Sequence, residues 1–195
     1  MRARLLFSLA AAGFMAAGCG SDDEATTTEV VRKDETAQKL PQLERGYEEF
    51  VNRAAGVAFG RPPGWSAKDQ GSVTELNAPD ELVAAKISID RTDDALSLDP
   101  KAFATQTAKL LPGYKKPLDP GKAKPFGHAY EGAIVEAEGV AKKSGVHQHV
   151  QVVVLERKGV AVVTGVVAAN AKEDAGAEEK QALESLRTLR TRPPG

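Results

Sequence analysis

The sequence predicts an α+β domain: a central antiparallel sheet covered by helices on both faces, an α/β/α sandwich. Three observations predict it. Strand-like runs follow one another at hairpin spacing, with helical stretches between and after them rather than in strict alternation. The stretches "VHQHVQVVVLERKG" and "GVAVVTGVVAAN" are long, Val-rich and apolar on both faces, as strands covered from two sides must be. The closing stretch "EEKQALESLRTLR" places Leu183, Leu186 and Leu189 on one helical face.

The elements follow in chain order. Leu43, Tyr47, Phe50, Val51 and Ala54 recur at helical spacing with Glu44, Glu48, Glu49 and Arg53 between them, which predicts a short amphipathic helix ended by Gly56. "VAFGRPPGW" reads as a strand with Val57 and Phe59 on one face, stopped by Pro62, Pro63 and Gly64. Trp65, just after that turn, is expected to cap the sheet's edge. "SVTEL" and "ELVAAKISIDR" read as two further strands. Asp99 is a good N-cap, Pro100 suits the first helical position and Leu98 can staple onto Phe103, so a helix is predicted over 100–111. Its buried stripe is expected to be Phe103, Leu110 and Leu111, and Pro112-Gly113 stops it. "YKKPLDPGKAKPFG" reads as a Pro/Gly-rich loop, and "AYEGAIVEAEGVA" opens the run of long strands. The second helix is predicted over 177–190.

The N-terminus is organised differently. Arg2 and Arg4 precede an apolar run from Leu5 to Ala17, which is shorter than the roughly 20 residues that span a bilayer. The small residues before the cut are Ala16, Ala17 and Gly18, and the only cysteine, Cys19, comes next. This resembles the lipobox of bacterial lipoproteins, with Ala16 standing where Leu is usual. The resemblance implies that residues 1–18 are a signal peptide and that Cys19 becomes a diacylated N-terminus. An ordinary secretory cut near Ala17 would instead leave a thiol with no disulfide partner. Two or more acyl chains hold a protein stably to a membrane, each buried methylene contributing about 0.8 kcal/mol. Residues 19–42 then read as the lipidated cysteine and a tether rich in Asp, Glu and Thr, its ends roughly 25 Å apart as a coil. The expected location is the extracytoplasmic face of a cell membrane.

The remaining residues, 43–192, are the size of one globular domain. Without Arg2 and Arg4 the 26 basic residues become 24 against 27 acidic, a net of −3, which excludes the basic excess of a nucleic-acid binder. With aromatics at 5% of the chain, the core has to rest on Val, Leu and Ala.

"VAFGRPPGW", a helix between strand groups, "HQHVQVVVLERKGVAVVTGVVA" and "QALESLRTLR" together resemble the PsbP-like superfamily. That superfamily includes PsbP itself, DcrB-like and LpqN-like bacterial lipoproteins, and Ran-binding Mog-type proteins. The resemblance covers about Val57 to Leu189. It rests on the turn at Pro62 to Trp65, the Gln-containing strand near Gln148 to Gln151 and the C-terminal helix. It implies an α/β/α sandwich and binding or assembly roles, and none of its motifs carries catalysis.

Candidate chemistry is sparse. His147 and His149 point to one side of a strand, as a two-histidine metal site needs, and only His128 or Glu156 offers a further ligand. No metal and no cofactor is expected. Glu136 and Glu138 share a strand face, where solvated carboxylates are the rule. Ser144 lies in a turn, no Gly-x-Ser-x-Gly elbow occurs, and Gly121-Lys122 lacks the preceding glycine of a phosphate loop. The chain is therefore read as a non-enzyme. Lys115, Lys116, Lys122 and Lys124, with Lys109 and the adjacent Tyr114 and Phe126, form a basic segment proposed as the contact surface. The expected function is a non-catalytic adaptor that binds another protein or an envelope component. The alternative is a carrier of a small lipophilic ligand, which the low aromatic content disfavours.

Overall fold

The computed structural model describes residues 46–92, 98–127, 130–158 and 160–191. Cys19, the expected signal and tether segments and His128 lie outside the described residues.

The order of elements is β1 (Glu48–Asn52), β2 (Val57–Arg61), β3 (Ser66–Gln70), β4 (Val73–Asn77), β5 (Val83–Asp90), α1 (Pro100–Leu110), β6 (Lys124–Pro125), β7 (Glu131–Val140), β8 (His147–Arg157), β9 (Ala161–Asn170), α2 (Gly176–Arg187) and β10 (Arg190–Thr191). Seven strands form an antiparallel sheet in the order β3-β4-β5-β9-β8-β7-β6, and β1-β2-β10 form a smaller one.

Alternation along the central strands divides the interior into two cores. Val150, Val152 and Val154 of β8 join Val162 and Val166 of β9 under Ala104 and Ala108 of α1. Val153 and Leu155, with Val163 and Val167, face the other way and pack with Ala182 and Leu186 of α2 and Phe59 of β2. The two helices therefore cover opposite faces, as the doubly apolar strands require. Among the described residues, the buried members of both cores fall between Phe59 and Leu189, with Phe50 packed against one of them.

The helix start at Asp99 is as the sequence predicts. Its carboxylate accepts from the Ala102 backbone N–H, and Pro100 opens the helix. The buried stripe differs, because Ala104, Ala108 and Leu111 repeat at helical spacing toward the sheet, and this turns Leu110 outward, 71% exposed. Leu98, the proposed staple, is exposed at 41%.

The helix predicted over the early Tyr47–Ala54 pattern is a strand. β1 pairs with β2 from Glu48↔Arg61 to Asn52↔Val57, and the Phe50 ring meets Phe59 with centroids 5.4 Å apart. So short a helix is marginal alone, whereas Tyr47, Phe50 and Val51 are good strand formers once β2 supplies a ladder. Trp65 caps no edge: it is buried in the α2-side core and its indole N–H donates to Gln181 Oε1 of α2 at 3.0 Å. The final helix stops at Arg187, and Leu189 is buried beyond it as β10 joins β2.

Candidate functional site: the lysine face of α1 and the β7 edge

The segment expected to be a free loop is a cover for the edge of β7. Tyr114 bridges to Ala141, Lys115 N–H donates to Val140 C=O and Gly121 N–H to Glu136 C=O, both at 2.9 Å. β6 then pairs with Ile134 and Ala133, and Phe126 N–H donates to Gly132 C=O at 2.9 Å. Residues 114–126 thus run along the whole strand. Pro117, Pro120 and Pro125 withhold donors, so the outer side of the segment offers no ladder to a further strand.

Its apolar side chains turn inward. Tyr114, Leu118 and Phe126 are all buried. Gly139 makes room for the first two: a Cβ there would stand 2.7 Å from Tyr114 Cδ1 and overlap Leu118 Cδ2. The Tyr114 hydroxyl donates to Gln148 Oε1 at 3.1 Å, and burial pushes its pKa well above the usual tyrosine value. Folded-state protection of the neutral phenol is fully present below pH about 10 and fades as pH rises further, because the unfolded chain ionises first. At the other end, the Arg187 guanidinium lies over the Phe126 ring, 4.9 Å from its centroid. Tyr114 and Phe126 are thus core residues and not part of the contact surface. Burying them is what orients the lysines outward.

Lys115, Lys116, Lys122 and Lys124 are exposed, and so are Lys101 and Lys109 of α1. α1 and residues 114–123 share one core, whereas Phe126 packs in the α2-side core and Lys124 pairs with Glu136 on that side. Between α1 and the edge segment runs an open groove of about 470 Å³, lined by Lys101, Ala102, Thr105, Gln106, Lys109 and Ala123. Residues 98–127 contain these six lysines against Asp99 and Asp119, a net of +4 in a chain whose overall net is −1. Of the six, only Lys124 is ion-paired among the described residues, with Glu136 at 3.0 Å. Lys109 belonged to the basic segment read from the sequence, but the contribution of Lys101 was not legible there, because only the packing of α1 brings it beside the edge segment.

The two histidines share the face under α2, as strand alternation predicts. His149 Nδ1 is 2.9 Å from Glu179 Oε1 of α2, and His147 Nε2 is 3.9 Å from Glu138 Oε2. Glu156 falls on the opposite alternation of β8. Among the described residues no group of three or more His, Cys, Asp or Glu side chains is arranged to hold a metal ion. The paired acids are engaged separately, Glu136 by Lys124 and Glu138 by His147. The Ser144 hydroxyl accepts from the Val146 backbone N–H at 3.3 Å, inside the β7–β8 turn.

No helix among the described residues is long and apolar enough to cross a membrane. No protein-family model and no curated protein sequence matches the chain. Solved structures do share its fold. Cyanobacterial PsbP (CyanoP) from Synechocystis sp. PCC 6803 aligns over 75% of this chain and 92% of its own, at 13% identity and a TM-score of 0.53. The Saccharomyces cerevisiae Ran-binding protein Mog1p aligns over 74% and 95%, at 12% identity and 0.50. A Bacteroides thetaiotaomicron VPI-5482 protein aligns over 75% of this chain at 15% identity and a TM-score of 0.49, and the chain spans about half (49%) of that protein's length. At such identities the likeness speaks for architecture alone. The seven-stranded antiparallel sheet between α1 and α2, flanked by the three-stranded sheet, is a PsbP-like α/β/α fold.

Proposed function

We propose that the chain is a lipid-anchored module at the extracytoplasmic face of a membrane, and that it acts by binding and not by catalysis. The observation that carries this reading is the lysine face. A buried set of apolar plugs holds an edge segment in place, and exposed lysines of that segment lie beside α1, whose Lys101 and Lys109 line an open groove with Ala123. The motif at Cys19 supports the anchor, and the acidic tether would let the domain turn this face toward a partner. The groove is open along its length, which suits contact with an extended surface better than enclosure of a small lipophilic cargo.

Occupancy of that face is testable without knowing the partner. Intact cells are treated with a membrane-impermeant amine-reactive reagent, and modified lysines are read by mass spectrometry against the purified protein. Lys109, Lys116 and Lys122 are expected to be protected in cells, while the exposed Lys68 and Lys172, on other parts of the surface, react as in the purified protein. Equal reactivity of both sets in both samples would contradict a face in use.

A further inference from the structure

We infer that the face formed by α1 and residues 114–123 docks on anionic phospholipid headgroups, so that the domain lies against the membrane instead of standing clear of it. This deepens the proposed function and rests on that reading for the domain's placement beside a bilayer. Three observations favour lipid over a protein partner. The exposed positive charge on this face is all lysine, the residue that protein interfaces deplete, while the aromatic rings that anchor such interfaces are buried here. Anionic headgroups, by contrast, attract dispersed flexible lysines without requiring fixed geometry. The net of +4 over residues 98–127 stands against a balance of −5 for the rest of the chain, so the molecule is electrically polar. Among the described residues the most exposed large apolar side chain is Leu110, 71% exposed and next to Lys109 at the end of α1. A basic surface with a protruding leucine is the chemistry of an interfacial membrane contact.

The test uses residues 20–195, which contain both cores and lack the signal segment and Cys19, in co-sedimentation with vesicles. Phosphatidylcholine vesicles with about 30% phosphatidylglycerol at about 0.1 M salt should bind the protein, and pure phosphatidylcholine vesicles should not. Each lysine neutralised should weaken partitioning roughly fivefold, so Lys109→Gln/Lys116→Gln should lose about 25-fold, and about 1 M salt should release the wild type. Leu110→Ser should weaken binding severalfold without altering the charge. These positions are exposed, so the variants should melt like the wild type. Equal binding to neutral and anionic vesicles would overturn the inference, as would no binding to either or unchanged binding by the double variant. Recovery of a protein cross-linked through Lys109 or Lys116, with no vesicle binding, would overturn it in favour of a protein partner. Failure of lipid attachment at Cys19 would count against the anchor and leave the vesicle result standing, so the two readings fail separately.

Discussion

Gly132→Ala is expected to destabilise the domain by about 3 kcal/mol, a fall of roughly 10 °C in melting temperature. Gly132 lies in β7 opposite Leu155, where β8 and the end of the edge segment converge. A methyl group there would overlap the Val154 carbonyl and stand 2.8 Å from both the Phe126 carbonyl oxygen and Leu155 Cδ2. Two of those three obstacles are backbone, which cannot rotate aside, so the strands themselves would have to separate. Gly121→Ala is the matched control, since its nearest neighbour would be the Glu136 carbonyl at an ordinary 3.6 Å. Thermal unfolding followed by circular dichroism distinguishes the two. Equal melting temperatures for both variants would mean that the edge segment is not clamped as described.

Asn52→Asp is expected to cost a similar amount, about 3 kcal/mol. Asn52 is fully buried at the end of β1. Its Nδ2 donates to the Gly71 carbonyl and to Thr74 Oγ1, both at 3.0 Å, and its Oδ1 accepts from the Ala55 N–H at 2.8 Å. The two donated bonds tie the small sheet to the β3–β4 hairpin of the large one, and the third closes the β1–β2 turn. Aspartate keeps the shape and the acceptor but puts an oxygen where two donated bonds begin, leaving the Gly71 carbonyl facing an acceptor in a buried site. Urea unfolding should show a lower midpoint with an unchanged slope. A midpoint matching wild type would show that the two sheets are held together by apolar packing alone.

The parts of the fold legible in the sequence are those whose cause is local. Asp99-Pro100 writes the start of α1 into two residues, and the alternation of β8 and β9 predicts both their pairing and a sheet covered on two sides. The features missed depend on partners distant in sequence. β3, "SAKDQ", is a polar edge strand whose pattern shows no buried face, and it exists because β4 pairs with it. Asn52 lay inside a pattern read as a helix, so its role as a buried link had no signal. The lysines of 115–124 were visible as a basic run, but Tyr114 beside them reads as an exposed aromatic until Gly139 is seen to open a space for its ring.

The most direct test of the central claim is metabolic labelling with a palmitate analogue, comparing the wild-type chain with Cys19→Ser. Lipid attachment at Cys19 predicts a labelled wild type that fractionates with membranes, and an unlabelled variant that does not undergo the same attachment. Equal labelling of the two chains, or no label on either, would contradict an anchor at Cys19 and with it the placement of the lysine face beside a membrane.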